Sequence, residues 1–141
     1  MLKDFQQKCF EMWEMFNDIC KKNNITYYFA YGSAIGAVRE HDFIPWDDDI
    51  DIWISRSQYE LLRTVLNQQL DPRFKFVEPN DYAPYIFDMI PHLIDTEVSR
   101  HKATEEDKIY NNLNDKLTMD FYILDVAPDS KFKQFVHCLD R

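Results

Sequence analysis

The feature that most constrains this chain is the run Trp46-Asp47-Asp48-Asp49-Ile50-Asp51-Ile52, followed at once by Trp53 and Ile54. Four carboxylates within five residues repel one another and raise each other's pKa unless a cation or hydrogen-bond donors compensate. A solvated acidic turn would not lead straight into Ile-Trp-Ile. From Asp49 to Ile54 acid and apolar residues alternate, as in a strand with one buried and one functional face. Such a strand points Asp49 and Asp51 to the same side, where they can share a hard, oxygen-seeking divalent cation and leave coordination positions open for phosphate. A calcium loop is the competing reading, with Asp47, Asp49 and Asp51 at its first three ligand positions. That match stops at Ile52, where the sharp turn requires Gly, and at Gln58, where a bidentate Glu is expected.

Around this run the sequence reads as alternating helices and strands. Leu2, Phe5, Cys9, Met12, Phe16 and Ile19 recur at helical spacing, so residues 2–22 form an amphipathic helix that Lys21, Lys22, Asn23 and Asn24 bring to a stop. Residues 25–31 are nearly all β-branched or aromatic and predict a buried strand, and a short helix follows from Ser33 to about Glu40. Ser57 and Glu60 form a capping box for a helix to about Gln69. Short strands are expected over 74–78, 85–90, 92–97 and 118–124. A partial helix is expected within the polar run from Arg100 to Lys116, and a last helix from Ser130 to Leu139.

The chain has 141 residues, 45% of them hydrophobic and 16% aromatic, enough for one domain with a sizeable core and against a disordered acidic tail. Its net charge of -9 lacks the basic stripe that nucleic-acid binding needs, so DNA and RNA are excluded as expected partners. Three widely spaced cysteines, Cys9, Cys20 and Cys138, give neither a disulfide framework nor a metal motif, which fits a reducing cytoplasm. No stretch approaches the ~18 apolar residues that span a bilayer, though work at the inner face of a membrane stays open.

Both glycines, Gly32 and Gly36, follow the most apolar strand candidate. A glycine at a strand-to-helix turn lets backbone approach a ligand, and a helix opening there offers N–H groups to phosphate, with Ser33 adding a hydroxyl at the N-cap. The blander alternative is a tight turn with an ordinary cap. Asp120 lies inside the apolar segment Thr118-Met119-Asp120-Phe121-Tyr122-Ile123-Leu124-Asp125, where a carboxylate is costly unless paired or metal-bound. It is the expected third ligand, with Asp125 in reserve. Arg39 can pair with phosphate or with the acidic cluster. Trp46 can stack on a base or a quaternary ammonium, although packing beside Pro45 is the commoner role. Tyr31 and Trp53 are expected in the core, as are Cys9 and Cys20. His41, His92, His101 and His137 show no ligand spacing and are assigned ordinary surface or core places.

Gly-Ser at a strand-to-helix turn, Asp-x-Asp sixteen positions after Ser33 and a later strand carboxylate together resemble the nucleotidyltransferase-fold signature. The longer stretches Tyr31-Gly32-Ser33-Ala34-Ile35-Gly36-Ala37-Val38-Arg39 and Asp42-Phe43-Ile44-Pro45-Trp46-Asp47-Asp48-Asp49-Ile50-Asp51-Ile52 are similar to the LicD family, which includes fukutin-related proteins. The resemblance covers roughly residues 5–140. It departs from the family at Gly32-Ser33, commonly Gly-Thr, and at Asp120-Phe121-Tyr122-Ile123-Leu124-Asp125, commonly Asp-Ile-Phe-Pro-Leu-Asp.

The resemblance implies an α/β (α+β) nucleotidyltransferase-like mixed sheet flanked by helices, in a single domain over 1–141 that is truncated or minimal beside longer members. It implies transfer of a phospho-alcohol, typically phosphocholine from CDP-choline, onto a sugar hydroxyl of a cell-surface glycan such as lipopolysaccharide or teichoic acid, releasing CMP. Mg²⁺, with Mn²⁺ as the substitute, would sit on Asp49, Asp51 and Asp120. Gly32, Ser33, Gly36 and Arg39 would face the nucleotide, with Asp47, Asp48, Trp46 and Asp125 around them. Nucleotide transfer to a small molecule or protein, and a non-catalytic domain that only binds nucleotide or metal, are the alternatives.

Overall fold

A computed structural model of the chain describes residues 2–79, 89–102, 104–105, 113, 115–127 and 130. Its first element is the helix α1 (Leu2–Lys22), which places Cys9, Met12, Phe16, Ile19 and Cys20 in the core at the expected spacing. Asp4 in the first turn and Lys21 and Lys22 in the last complement the helix dipole. Asn24 then turns into the left-handed region at φ 55°, where Asn is tolerated, and ends the helix.

Five strands follow: β1 (Tyr28–Phe29), β2 (Ile50–Ser55), β3 (Phe74–Val77), β4 (His92–Ser99) and β5 (Lys116–Leu124). They form one mixed sheet in the order β1-β2-β5-β4-β3, in which β2 and β5 run parallel and the other neighbours antiparallel. Between β1 and β2 lies the short helix α2 (Tyr31–Ile35), continued by a π-helical turn over Gly36–Glu40. The helix α3 (Arg56–Gln69) follows β2 directly.

One face of the sheet is the core. Ile50, Ile52 and Ile54 of β2, Leu93 of β4, and Leu117, Met119 and Phe121 of β5 pack there against α1 and against Tyr59, Leu62, Val65 and Leu66 of α3. Cys9 and Cys20 belong to this core as expected, and burial pushes both thiols up to about 12, which makes them packing groups rather than nucleophiles. At the far edge the buried carboxylate of Asp95 is held by Arg73, whose Nε donates at 3.0 Å to each oxygen and whose Nη2 donates at 2.5 Å. Among the described residues no helix is long and apolar enough to cross a membrane.

Three expectations need correction. Residues 25–31 do not make a buried strand: only Tyr28 and Phe29 are paired, at an edge, because alternate aromatics there face away from the core. The following helix starts at Tyr31 rather than Ser33, with Ala30 as its cap. The capping box at Ser57 and Glu60 does not form, since α3 begins at Arg56 behind Ser55 and Glu60 instead pairs with Arg63 at 3.4 Å. The strand expected over 85–90, most of the run from Arg100 to Lys116 and most of the helix expected over Ser130–Leu139 lie outside the described residues.

Candidate metal centre

The face of the sheet opposite the core carries the acidic residues. Parallel pairing of β2 with β5 sets Asp51 beside Asp120, and antiparallel pairing of β5 with β4 sets His92 on the other side of Asp120. These three side chains therefore form a row across three strands. Asp49 joins from the loop just before β2, since the strand begins at Ile50 rather than at Asp49. Asp49, Asp51 and Asp120 each offer a ligand atom, and these atoms all lie within 4.8 Å of one another, half-buried. The calcium-loop alternative fails because Ile50–Ser55 is extended strand instead of a chelating loop.

Repulsion in this group is only partly relieved. Burial, followed by repulsion from Asp49, Asp120 and Asp47, raises the Asp51 carboxyl from 3.8 to about 6, while a bond from the Gly32 backbone N–H opposes the rise. Burial and then Asp120 raise Asp49 as well, against the opposing Arg100 guanidinium. Asp47 is raised by burial and by Asp48, and its Oδ2 is buried without a hydrogen-bond partner among the described residues. Three converging hard oxygen ligands and an orphaned buried carboxylate oxygen beside them fit a divalent cation.

The other expected residues shape the cluster rather than crowd into it. A Cβ on Gly32 would stand 2.5 Å from Asp47 Oδ2, so glycine lets the acidic loop close onto α2. Ser33 is no cap; its Oγ accepts the backbone N–H of Asp51 at 2.9 Å and fixes the start of β2. The space beside Gly36 is filled by the chain's own backbone: a Cβ there would stand 2.6 Å from the Asp42 carbonyl oxygen and 3.1 Å from Ile44 N. Asp48 accepts the Cys9 thiol through its carbonyl at 3.7 Å, and Gln6 Nε2 donates to the Ile44 and Asp47 carbonyls, so α1 holds the loop from beneath.

Several residues stand elsewhere. Arg39 pairs with its neighbour Glu40 at 2.6 Å on the exposed turn. Asp125, the reserve ligand, is bound by Arg56 at 3.0 and 2.8 Å and stays outside the acidic group. Trp46 is 75% exposed, so the packing role beside Pro45 is overturned. Tyr31 is not core either: it is 52% exposed, and its ring meets Trp53 and Tyr122.

Two site residues have no local signature in the sequence. His92, assigned an ordinary place, is buried with its Nδ1 2.8 Å from Asp120 Oδ1. The signal that could find it is the shared alternation of two strands whose register only the fold supplies. Arg100 opposes the rise in Asp49, donates through Nη2 to Thr118 Oγ1 on β5, and keeps a buried Nε without a partner among the described residues.

Residues 24–133 match the family described as LicD/FKTN/FKRP, nucleotidyltransferase domain. Among curated proteins, the chain is 26% identical over 130 residues to the lipopolysaccharide cholinephosphotransferase LicD of Haemophilus influenzae, covering 91% of this chain and 46% of that protein. It is 34% identical over 73 residues to an uncharacterised protein of Rickettsia typhi, covering 50% of this chain and 22% of that one. An uncharacterised protein of Rickettsia prowazekii is 35% identical over 65 residues, with 44% and 24% covered. The chain thus spans less than half the length of these relatives. No solved structure matches it. Because the family match runs from the turn after α1 to beyond β5 and takes in all three converging aspartates, the chain belongs to the LicD/FKTN/FKRP family through its nucleotidyltransferase domain.

Proposed function

We propose that this chain carries the donor-activating site of a metal-dependent phospho-alcohol transferase, moving phosphocholine from CDP-choline onto a sugar hydroxyl of a cell-surface glycan and releasing CMP. The observation that carries the reading is the convergence of Asp49, Asp51 and Asp120 from a loop and two strands within 4.8 Å. The family, and the cholinephosphotransferase activity for which the Haemophilus relative is named, support the choice of reaction. Mg²⁺ is the expected ion, with Mn²⁺ able to replace it. When bound, the ion supplies neutralisation of the diphosphate and of the leaving phosphate.

The chain's own residues supply positioning. Asp49 and Asp51 would hold the ion, and the Ser33 and Gly32 contacts keep Asp51 in place. His92 orients Asp120, whose carboxylate stands at the same point and accepts the proton of the acceptor hydroxyl as the new O–P bond forms. Arg100 supplies a positive charge beside the carboxylates, where its guanidinium opposes the rise in Asp49.

The test is calorimetric titration of CDP-choline, CDP-ribitol, CTP and ATP into the chain with Mg²⁺, repeated on Asp49→Ala and Asp51→Ala. Binding of a CDP-alcohol that requires Mg²⁺ and is lost in both variants is expected. Turnover that releases pyrophosphate, with the nucleotide transferred, would replace this reading by nucleotidyl transfer. If the folded wild type binds none of the four, the donor site is abandoned.

A further inference from the structure

One step along the strands from the carboxylates, on the same face, lies a second row. Antiparallel pairing sets Tyr28 beside Trp53, and parallel pairing sets Trp53 beside Tyr122. Each of Trp53 and Tyr122 follows its aspartate by two positions, so this aromatic row stands roughly 7 Å from the acidic one. Tyr31 leans over it from the start of α2, its ring centroid 5.5 Å from Trp53 and 4.8 Å from Tyr122, at 71° and 74° to them. The rings thus form a corner that is open to solvent on the Tyr31 and Tyr28 side.

We propose that Tyr31, Trp53 and Tyr122 are the seat of a quaternary ammonium group carried on the transferred phosphate. The inference rests on the phospho-alcohol reading and assigns the residues that recognise the alcohol. Three observations lead there. Aromatic faces attract cations whose charge is spread over methyl groups, and near-perpendicular rings make a rounded corner, whereas a flat nucleobase asks for a parallel face. The neighbouring row of carboxylates adds negative charge beside this corner, since Asp51 and Asp120 stand two positions before Trp53 and Tyr122 on the same face. Finally, Tyr31 is held at φ 39°, a backbone state an aromatic residue adopts only at a cost, and the ring it projects is half in solvent instead of in the core. A phosphate bound through a cation on Asp51 and Asp120 would leave a two-carbon linker to cross the step between the rows.

The decisive experiment titrates the chain with Mg²⁺ against CDP, CDP-choline, and a CDP ester in which a tert-butyl group replaces the trimethylammonium. CDP-choline is expected to bind roughly tenfold more tightly than the neutral ester, and Trp53→Leu and Tyr122→Leu to remove that advantage while leaving CDP within about twofold. Equal binding of the two esters by the wild type overturns the proposal, because the corner is then merely apolar. Equal weakening of CDP and CDP-choline in the variants also overturns it, since the base would be stacking there. If either variant fails to fold, the comparison of esters on the wild type still decides. If CDP itself does not bind, the donor-site reading has failed separately. Choline against 3,3-dimethylbutanol, followed by the indole resonance of Trp53, then tests the corner by the same order of affinity.

Discussion

Replacing Gly36 by alanine reverses a familiar sign. Gly36 has right-handed helical torsions, φ -58° and ψ -51°, so alanine meets no conformational barrier there and on propensity alone would stabilise by ~1 kcal/mol. The added Cβ, however, would meet the Asp42 carbonyl at 2.6 Å and Ile44 N at 3.1 Å, both backbone atoms of the segment leading to the acidic run. Backbone cannot swing aside as a side chain can, and such overpacking costs about 1–3 kcal/mol. The net expectation is a loss of up to about 2 kcal/mol, or a fall in Tm of up to roughly 6 °C for a chain of this size. Because the displaced segment runs on to Asp47 and Asp49, Mg²⁺ affinity should fall with it. Thermal unfolding by circular dichroism, without metal and then across a Mg²⁺ series, measures both. A Tm that rises in Gly36→Ala would refute the claim that this glycine is required by the close approach of the loop.

Other consequences follow from the same contacts. The folded chain keeps a proton on Asp51 between pH about 4 and 6 that the unfolded chain has released, so this group costs stability as pH rises through that window. Asp51→Asn should therefore match the metal-free wild type near pH 4 and exceed it at pH 7 by about 1 kcal/mol, after discounting for solvent screening; a difference that stays flat across urea melts at the two pH values rejects this. His92→Ala should weaken Mg²⁺ binding by about tenfold with little change in Tm, and His92→Gln by less, because an amide can still donate to Asp120; unchanged affinity in calorimetry would remove His92 from the site. Arg73→Met should cost about 3 kcal/mol by stranding the buried Asp95, and Arg73→Met combined with Asp95→Leu should recover most of it, as urea unfolding can show.

What the sequence made legible was what depends on local period. The α1 stripe at Cys9, Met12, Phe16 and Ile19 and the acid-apolar alternation through Asp51 lie where their spacing puts them, and Asp120 stands out as costly inside its strand. The aromatic residues were harder. Tyr31 and Trp53 read as core because an aromatic ring is equally apolar whether it meets methyl groups or a ligand, although the alternation through Asp51 puts Trp53 on the acidic face, and only the fold brings Tyr31 of α2 and Tyr122 of β5 to it. Ser33 was similarly ambiguous, since its hydroxyl suits a helix cap as well as the amide of a strand eighteen positions away. His92 and Asp120 meet across twenty-eight positions, and no local pattern encodes that pairing.

The central parallel pair also fixes when the site can exist. Asp51 and Asp120 are separated by 69 positions, with α3, β3 and β4 between them in the chain and β5 lying between β2 and β4 in the sheet. Closing so long a loop is entropically unfavourable, and parallel pairing of this kind is slow to form. The three carboxylates therefore meet only when β5 pairs with β2, and a growing chain that has not reached β5 holds only Asp49 and Asp51. Once the cradle is complete, an ion held there would act as a clasp between the two halves of the chain, linking its occupancy to the persistence of the whole sheet.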